Sequence, residues 1–329
     1  MSATVLVTGG AGYIGSHVAL ACLDAGRGVV ILDDLSTGFR GLVPEAAVFV
    51  EGSVGDRDLV TETLRTHRVG AVIHMAAKTV VPDSLADPVS YYHTNLGEGL
   101  AFIETVVAAA VPAFVFSSTA AVYDPAAADA GPLGEDAPIA PLSPYGRSKR
   151  MIEQILIDIG LATPLRHVIL RYFNVAGGDP QMRTGQSTAN ATHLIKVACE
   201  VAAGLRPALE VYGDDYPTPD GSCVRDFIHV TDLAQAHLAA LDHLETGGGS
   251  LILNCGYGRG ASVLEVAQAV ERASGRPLPL KRGPRRPGDL ISAVSDPGRL
   301  RQHLGWRPTH DTLDEIVASA LRWEAARGP

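Results

Sequence analysis

The stretch TVLVTGGAGYIGSH, residues 4–17, joins an apolar run to a glycine-rich turn. Gly9, Gly12 and Gly15 recur at every third position, and a helical pattern follows over residues 16–26. Glycine permits a tight turn and lets the backbone come close to a ligand. The free N–H groups at a helix start favour an anion such as a pyrophosphate. The stretch therefore predicts a strand, a nucleotide-binding turn and a helix.

Strand-like and helical segments alternate through the first half of the chain. The strand-like runs are 4–8, 28–33, 47–52, 71–76, 113–118 and 167–174, and the helical patterns are 16–26, 58–67, 97–110 and 148–160. Alternation at this spacing predicts a parallel sheet with helices on both faces. The expected fold class is α/β: a Rossmann-type doubly wound parallel sheet with a smaller C-terminal mixed α/β substrate-binding domain.

The second half of the chain is less regular. The predicted loops are 124–138, 211–227 and 281–289, the predicted helices are 230–244, 262–274 and most of 297–326, and a strand is predicted at 250–256. We expect a nucleotide-binding domain over 1–175 and a substrate-binding domain over 176–329. Residues 226–256 are expected to pack back onto the first domain.

Composition limits the classes of partner. The chain of 329 residues has a formal net charge of −9, so it repels nucleic acids and acidic lipids, and neither is an expected partner. Its four cysteines include no C-x-x-C pair, which predicts neither a metal site nor a disulfide framework. The N-terminus lacks the basic region of a signal peptide, and no apolar run approaches the ~20 residues of a membrane span. We expect a cytoplasmic protein with reduced thiols.

The second predicted strand ends in Asp33, close to the ~20-residue spacing that is typical of a ribose-binding acid after a glycine turn. A carboxylate at this place accepts hydrogen bonds from both ribose hydroxyls and repels a 2′-phosphate. The pattern therefore favours NAD over NADP. A solvated acid at the end of a strand is the alternative interpretation.

The stretch SPYGRSKRMIEQIL, residues 143–156, places Tyr145 and Lys149 on one face of a predicted helix. A free tyrosine has a pKa of about 10, and we expect the neighbouring ammonium and a cationic nicotinamide ring to favour its phenolate. A phenolate can take the proton of an alcohol while the carbinol hydride leaves. Thr119, at the end of a predicted strand, is a candidate for hydrogen-bonding the reacting oxygen.

Six stretches together resemble the UDP-glucose (UDP-galactose) 4-epimerases of the extended short-chain dehydrogenase/reductase superfamily. They are VTGGAGYIGSH, FSSTAAVY, SPYGRSK, LRYFNVAG, YGDDYPTPDGSCVRDFIHVTDLA and RRPGD, and the similarity covers essentially the whole chain. The resemblance implies an isomerase in which Tyr145 takes the proton of the sugar C4 hydroxyl and NAD takes the hydride. The 4-keto sugar then turns over, and the hydride returns to its other face.

The resemblance implies that residues 1–175 form the NAD-binding domain and residues 176–329 the UDP-sugar-binding domain. It also implies roles for individual residues. The catalytic residues are expected to be Thr119, Tyr145 and Lys149. The expected cofactor contacts are Gly9, Gly12, Tyr13, Ile14, Gly15, Asp33, Thr37, Gly38, Ser53, Val54, Asn95, Ser117, Tyr145, Lys149 and Phe173. The expected contacts with the UDP-sugar are Thr119, Asn174, His193, Leu194, Tyr212, Arg225, Arg286, Asp289 and Ala293.

Three positions depart from the pattern of these relatives. Ser53 stands where many of them have an acid that contacts adenine. Thr79 stands where some have a lysine that contacts the sugar, with Lys78 displaced by one position. Ala293 stands where they often have a larger residue, and the smaller side chain leads us to expect that UDP-N-acetylhexosamines are accepted as well.

Alternatives remain open at this point. A 4-epimerase of a UDP-pentose or a UDP-uronic acid would carry the same motifs, and a non-catalytic NAD-sensing protein is a more remote alternative. A 4,6-dehydratase would require Asp-Glu after Thr119, where this chain has Ala120 and Ala121. Relatives form homodimers through paired helices, which predicts a homodimer through residues 95–110 and 145–160, unless their apolar faces are buried within one copy.

Overall fold

The structure is a computed structural model that describes residues 3–188, 191–286 and 289–327. The strands are β1 (Thr4–Thr8), β2 (Val29–Asp33), β3 (Val48–Glu51), β4 (Val69–His74), β5 (Ala113–Thr119), β6 (Arg166–Tyr172), β7 (Asn174–Ala176), β8 (Leu209–Tyr212), β9 (Val224–Arg225), β10 (Phe227–His229), β11 (Leu251–Cys255), β12 (Ala261–Ser262), β13 (Leu280–Gly283) and β14 (Ser292–Ala293). The helices are α1 (Tyr13–Asp24), α2 (Arg57–Thr66), α3 (Val81–Ala86), α4 (Pro88–Tyr91), α5 (Gly99–Ala108), α6 (Pro125–Asp129), α7 (Pro144–Ala162), α8 (Leu194–Ala202), α9 (Val230–Glu245), α10 (Val263–Ser274), α11 (Gly298–Leu304) and α12 (Leu313–Arg327).

A sheet of 7 strands in the order β11-β6-β5-β4-β1-β2-β3 forms the centre of the described part of the chain. Every neighbouring pair in this sheet is parallel. From β1 to β3 the strands follow one another in one direction across the sheet, and from β4 to β11 they follow one another in the opposite direction. Because of this reversal between β1 and β4, the connecting helices lie on both faces of the sheet. This architecture confirms the predicted Rossmann-type doubly wound α/β fold.

The core lies on both faces of the sheet because its strands are apolar at nearly every position. All five residues of β2 and all seven of β5 are buried. In β1, Val5 and Val7 join the cluster that α1 and α9 cover, whereas Leu6 joins the cluster on the opposite face under α2, α5 and α7. Near-continuous apolar runs are typical of strands that are covered on both sides.

Residues 226–256 contribute directly to the central sheet. Strand β11 pairs with β6, so Leu251 aligns with Val168 and Cys255 with Tyr172. Helix α9 packs against α1, and β10 pairs with β7. The chain therefore crosses to the C-terminal region, returns to complete the sheet and leaves again. The division into domains at residue 175 stays a prediction.

The C-terminal region builds small sheets instead of extending the large one. Strands β8 and β13 pair in parallel, and β9 lies between β12 and β14. Helices α8, α10 and α12 pack on one another, and their apolar residues continue the core beneath α1 and α9. This region therefore shares its core with one face of the central sheet.

All three segments that were predicted as loops contain regular structure. Strand β9 lies within 211–227. Strand β13 overlaps 281–289, and its first three side chains are exposed, so no apolar alternation marks it. Helix α6 lies in 124–138, where the Asp124 side chain caps it by accepting a hydrogen bond from the Ala126 N–H. Ala128 and Leu133 are buried there. These predictions were wrong because β9 and β13 depend on pairing with distant strands, whereas α6 has a local cap that the sequence analysis did not use.

The predicted helix over 97–110 is preceded by a π-helical turn, Tyr92–Glu98. The large apolar side chains of α5 and α7 face the sheet, among them Phe102, Ile103 and Ile152. Leu100 and Met151 remain on the outer surface of the same helices. Most of the apolar surface of 95–110 and 145–160 is thus buried within one copy. Among the helices that the structure describes, none has both the length and the apolar character to cross a membrane.

A buried ion pair joins α7 to β6. The Arg171 guanidinium donates from Nε to Oε1 of Glu153 at 2.9 Å and from Nη2 to Oε2 at 2.7 Å. The Ser118 hydroxyl donates to the same carboxylate, and the Arg171 Nη1 donates to the Tyr123 hydroxyl. The side chains of the pair are 3% and 0% exposed, so neither charge has water to replace a lost partner.

We predict that Arg171→Met lowers the free energy of unfolding by roughly 3–5 kcal/mol, because it leaves the Glu153 carboxylate buried without its main counter-charge. The measurement is a urea unfolding curve. The control is Arg65→Met, which removes the solvent-exposed pair with Glu62 and should move the urea midpoint little. Equal losses in the two variants would contradict the prediction.

Candidate active site

The glycine turn after β1 brings the backbone of the loop and of α1 into close contact. Gly9 has a φ of +70°, and a Cβ added there would lie 2.8 Å from the backbone nitrogen of Ala76. A Cβ on Gly15 would lie 2.1 Å from the carbonyl oxygen of Gly9. Gly12 is the N-cap of α1, and no side chain caps the helix there. The turn therefore leaves the start of α1 open to a ligand, as the sequence predicts.

Asp33 lies at the end of β2, next to this turn. Its Oδ2 accepts the Ala11 N–H at 2.9 Å and its Oδ1 accepts the Leu35 N–H at 2.9 Å. Burial raises the pKa of this carboxyl, and the two backbone N–H groups oppose that rise. A Cβ on Gly38 would lie 2.8 Å from Asp33 Oδ1, so the loop passes close above the carboxylate. Thr37 is exposed beside it.

Tyr13 and Ile14, the first residues of α1, are half-buried. The Tyr13 hydroxyl donates a hydrogen bond to the Gly177 carbonyl at 2.7 Å. This bond ties the start of the first helix to the segment that follows β7. The predicted pyrophosphate loop is therefore braced against the part of the chain that leads to the C-terminal region.

The predicted catalytic residues come together at the carboxyl end of β5. Strand β5 ends at Thr119, and α7 begins beside it after Ser143, whose Oγ accepts the Gly146 N–H at 3.1 Å. The first two turns of α7 carry Tyr145 and Lys149, both buried. Lys149 Nζ donates to the carbonyl oxygen of Ser117 at 2.8 Å.

Burial controls the protonation of this group. It raises the pKa of Tyr145 to about 12, while a hydrogen bond from the Thr119 hydroxyl acts in the opposite direction. Burial also lowers the pKa of Lys149 to about 7, against a smaller opposing effect of the Glu153 carboxylate. Burial is therefore the largest influence on the pKa of Tyr145. The expectation that the Lys149 ammonium and a cationic nicotinamide ring together favour the phenolate stays a prediction.

Asn95 braces the loop after β4 against α7. Its Nδ2 donates to the Lys78 carbonyl at 3.0 Å and to Ser148 Oγ at 3.1 Å, and its Oδ1 accepts the Lys78 N–H at 2.8 Å. The Ser148 hydroxyl in turn donates to the Tyr145 carbonyl. Thr79 is exposed beyond this clamp. Asn95 thus holds the backbone at Lys78 in a fixed position beside the helix that carries Tyr145.

Four further predicted cofactor residues lie in or just after strands of the central sheet. Ser53 and Val54 follow β3, and Val54 is buried. Phe173 lies between β6 and β7, where its N–H donates to the Cys255 carbonyl at 3.3 Å. Ser117 lies inside β5, and its hydroxyl is hydrogen-bonded to Nε2 of His237 at 2.7 Å.

Several predicted substrate residues meet in the C-terminal region. Arg225 Nη2 donates to Asp289 Oδ1 at 3.0 Å, and Arg286 Nε donates to Oδ2 of the same carboxylate at 3.0 Å. The Arg286 guanidinium also lies 4.4 Å from the centre of the Tyr212 ring. Ala293, on β14, pairs in register with Arg225 on β9 and is buried. These five residues therefore form one cluster.

The remaining predicted substrate residues lie at the start of a strand and at the start of a helix. Asn174 begins β7, and its N–H donates to the Asp226 carbonyl at 3.0 Å. His193 is the N-cap of α8, and its Nδ1 is hydrogen-bonded to Gln186 Nε2 at 3.0 Å. Leu194 begins that helix. Their placement at a strand start and a helix start is suited to ligand contact, which itself stays a prediction.

The sequence analysis missed groups that hold the predicted residues in place. His237 reaches the Ser117 hydroxyl from α9, and Glu153 lies one helical turn beyond Lys149. Asp226, fully buried, accepts the N–H groups of Tyr257 and Gly258 and so fixes the segment next to Arg225. The i, i+4 spacing from Lys149 to Glu153 was visible in the sequence, whereas the partners of His237 and Asp226 are distant along the chain.

The arrangement fits a dinucleotide at one end and a proton-transfer group at the other. The glycine turn offers backbone N–H groups to a diphosphate, and Asp33 offers carboxylate oxygens to a ribose. At the end of β5, a phenol, a hydroxyl and an amine lie in a water-excluded environment suited to general acid–base chemistry. The arginine cluster offers guanidinium groups suited to a second phosphate-bearing ligand.

Comparisons with known proteins agree with this arrangement. A sequence profile of the NAD dependent epimerase/dehydratase family matches residues 5–256. The UDP-glucose 4-epimerase of Azospirillum brasilense is 55% identical over 323 residues, which are 98% of this chain and 92% of that relative. The solved UDP-glucose 4-epimerase from Brucella ovis in complex with NAD is 41% identical, with a TM-score of 0.94 over 98% of each chain. The UDP-Glc/GlcNAc 4-epimerase of Campylobacter jejuni is 41% identical, with a TM-score of 0.86 over 99% of this chain and 100% of that one.

Proposed function

This chain belongs to the NAD dependent epimerase/dehydratase family, and on that basis we propose that it interconverts UDP-glucose and UDP-galactose by inverting carbon 4 of the sugar. The observation that carries the proposal is the placement of Tyr145, Thr119 and Lys149 at the carboxyl end of β5. The glycine turn and Asp33 lie at the same edge of the sheet, since all strands run parallel. A family relative with NAD bound supports this cofactor.

We propose that the described residues which would hold NAD are those that the resemblance implies. They are Gly9, Gly12, Tyr13, Ile14, Gly15, Asp33, Thr37, Gly38, Ser53, Val54, Asn95, Ser117, Tyr145, Lys149 and Phe173. Bound NAD supplies a hydride acceptor and donor together with a positively charged ring. The loop at Gly38 passes close to the Asp33 carboxylate. This carboxylate favours a ribose without a 2′-phosphate, because it repels the phosphate charge.

Tyr145 is the proposed base for the C4 hydroxyl proton and the proposed acid when that proton returns. Its raised pKa means that it loses a proton only when positive charge lies beside it. Thr119 donates to the phenol oxygen and so stabilises the phenolate. Lys149 has three N–H donors, one of which is used by the Ser117 carbonyl, so two remain for a ribose hydroxyl and for charge stabilisation.

Epimerisation requires that the sugar present either face while the nucleotide stays bound. Tyr212, Arg225, Arg286 and Asp289 are the proposed contacts with the nucleotide and its diphosphate, joined by Asn174, His193 and Leu194. Arginine suits a diphosphate because its planar fork binds two oxygens. Anchoring at the nucleotide end leaves the sugar ring free to turn, so the same phenol can serve both directions of the reaction.

We predict that Tyr145→Phe lowers turnover of UDP-galactose by about 10²–10⁴-fold, because the base is lost while the pocket shape is kept. The measurement is NMR of the anomeric signals without added NAD, with acid extraction to quantify retained dinucleotide. Retained NAD should match the wild type. Tyr92→Phe, which removes another half-buried tyrosine's hydroxyl, is the control and should leave turnover unchanged.

The same NMR assay distinguishes the alternatives. Turnover of UDP-xylose or UDP-glucuronic acid without turnover of UDP-glucose would favour an epimerase of pentoses or uronic acids. Retained NAD without turnover of any of these sugars would favour an NAD-sensing protein. Unchanged turnover in the Tyr145→Phe variant would rule out this residue as the base.

We further propose that UDP-N-acetylhexosamines are substrates. Ala293 is buried in register with Arg225, and its methyl side chain is smaller than the residue that relatives often have at this position. The Campylobacter jejuni relative, a UDP-Glc/GlcNAc 4-epimerase, supports this wider range. The N-acetyl group at carbon 2 needs more space than the hydroxyl of UDP-glucose.

Ala293→Tyr is expected to lower turnover of UDP-N-acetylglucosamine at least about tenfold by filling this space. Turnover of UDP-glucose by the same variant is the internal control and should stay within a few-fold of the wild type. The two activities are compared by NMR at equal substrate concentration. Failure of the wild type to turn over either N-acetyl sugar would contradict the proposed range.

A homodimer and a cytoplasmic location are also proposed. Leu100 on α5 and Met151 on α7 are exposed apolar residues, as is Leu161 near the end of α7, and a second copy would cover the first two. All four cysteines are free and buried, which supports a reducing compartment. Both statements extend the sequence-based expectations.

Met151→Glu should convert the dimer to a monomer, because a buried carboxylate at an interface has no partner. Leu205→Glu is the matched control, since Met151 is 43% and Leu205 is 44% exposed and Leu205 lies after α8. Sedimentation velocity measures both variants. A wild-type protein that sediments as a monomer would contradict the proposed dimer.

A further inference from the structure

The ends of three adjacent strands offer successive contacts along a bound dinucleotide. In the sheet order β1-β2-β3, the glycine turn follows β1, Asp33 ends β2, and residues 52–55 follow β3. A pyrophosphate at the turn and a ribose at Asp33 direct the attached base outward along this edge, toward the loop after β3. The polar groups of that loop therefore decide which base fits.

The hydroxyl of Ser53 is already committed within this loop. Its Oγ donates to Glu98 Oε2 at 2.7 Å and accepts the Gly55 N–H at 2.9 Å. Because a hydroxyl has a single proton, the proton that Ser53 holds is used by Glu98. In this pair, the group that can accept a hydrogen bond from a base is thus the Glu98 carboxylate.

Glu98 lies at the end of the π-helical turn, three residues after Asn95. Its side chain is 24% exposed, and His93 Nδ1 lies 3.3 Å from Oε1. A Cβ on Gly55 would lie 2.8 Å from Glu98 Cγ, so glycine at this position gives the Glu98 side chain its space. The loop after β3 is therefore shaped around this side chain.

We propose that the Glu98 carboxylate, held by Ser53, accepts a hydrogen bond from the 6-amino group of the cofactor's adenine. The inference rests on the proposed function only in requiring that the chain bind NAD. A carboxylate accepts and cannot donate, so it binds a 6-amino purine and repels the 6-oxo group of hypoxanthine. Each carboxylate oxygen has two acceptor sites, so Oε2 can serve Ser53 and the base together.

The test measures preference between two dinucleotides instead of activity. Purified protein is first freed of any dinucleotide that it retains. It is then incubated with equal excesses of NAD and nicotinamide hypoxanthine dinucleotide, separated from unbound nucleotide, and extracted with acid. Chromatography then gives the ratio of the two that are retained. The wild type should retain mostly NAD. Glu98→Gln should lower that ratio about tenfold, because the amide both accepts and donates and the charge-assisted bond is lost.

Two further variants separate recognition from folding. Glu104→Gln is the control, since Glu104 also follows Asn95 along the helix but pairs with Arg57 at the surface. Its ratio should equal that of the wild type. Glu98→Ala should lower the ratio as Glu98→Gln does. Adding Ser53→Asp to Glu98→Ala should restore the ratio, because position 53, the hydrogen-bond partner of position 98, then supplies the carboxylate.

The outcomes are distinct. A wild type that retains neither dinucleotide would overturn the proposed function and this inference with it. A wild type that retains NAD, with an unchanged ratio in Glu98→Gln, would overturn only the role of Glu98. A lower melting temperature with an unchanged ratio would make Glu98 a structural residue and would likewise overturn the proposal.

Discussion

Tyr145 and Lys149 are buried away from water, and the proposed chemistry depends on this burial. Burial raises the pKa of the phenol to about 12 and lowers that of the amine to about 7. Both shifts favour uncharged forms, because a charge without water must find a partner in the protein. In the proposed reaction, the phenol would therefore give up its proton when a positively charged cofactor ring lies beside it.

Keeping these groups dry and fixed requires contributions from distant parts of the chain. Lys149 donates to the Ser117 carbonyl, and the Ser117 hydroxyl is held by His237 from α9. One helical turn onward, Glu153 is locked to Arg171 on β6. Strands β5 and β6 and helices α7 and α9 thus act as one rigid support. The return of residues 226–256 to the sheet is part of this support, since it supplies α9 and β11.

The C-terminal cluster poses a different electrostatic problem. The chain carries a formal net charge of −9, yet the proposed ligand carries a diphosphate. Arg225 and Arg286 both bind the Asp289 carboxylate, so a diphosphate competes with an internal anion for the two guanidinium groups. Arg286 also covers the face of Tyr212, which a stacked base needs. Ligand entry therefore exchanges existing partners instead of filling free ones, and this exchange disfavours weakly bound anions.

The sequence by itself determined the elements that are marked by patterns within a short stretch of residues. The apolar runs and the glycine turn predicted the central sheet, and the Tyr145–Lys149 spacing predicted a shared helix face; the structure confirms the fold, and the resemblance to the family is confirmed by the comparisons. Only tertiary structure decided the burial of that pair, which raises the pKa of Tyr145 and lowers that of Lys149. It also decided that β13 is a strand and that Glu98 meets Ser53 across 45 positions. Such contacts depend on which residues the sheet order brings together, and no local pattern encodes that order.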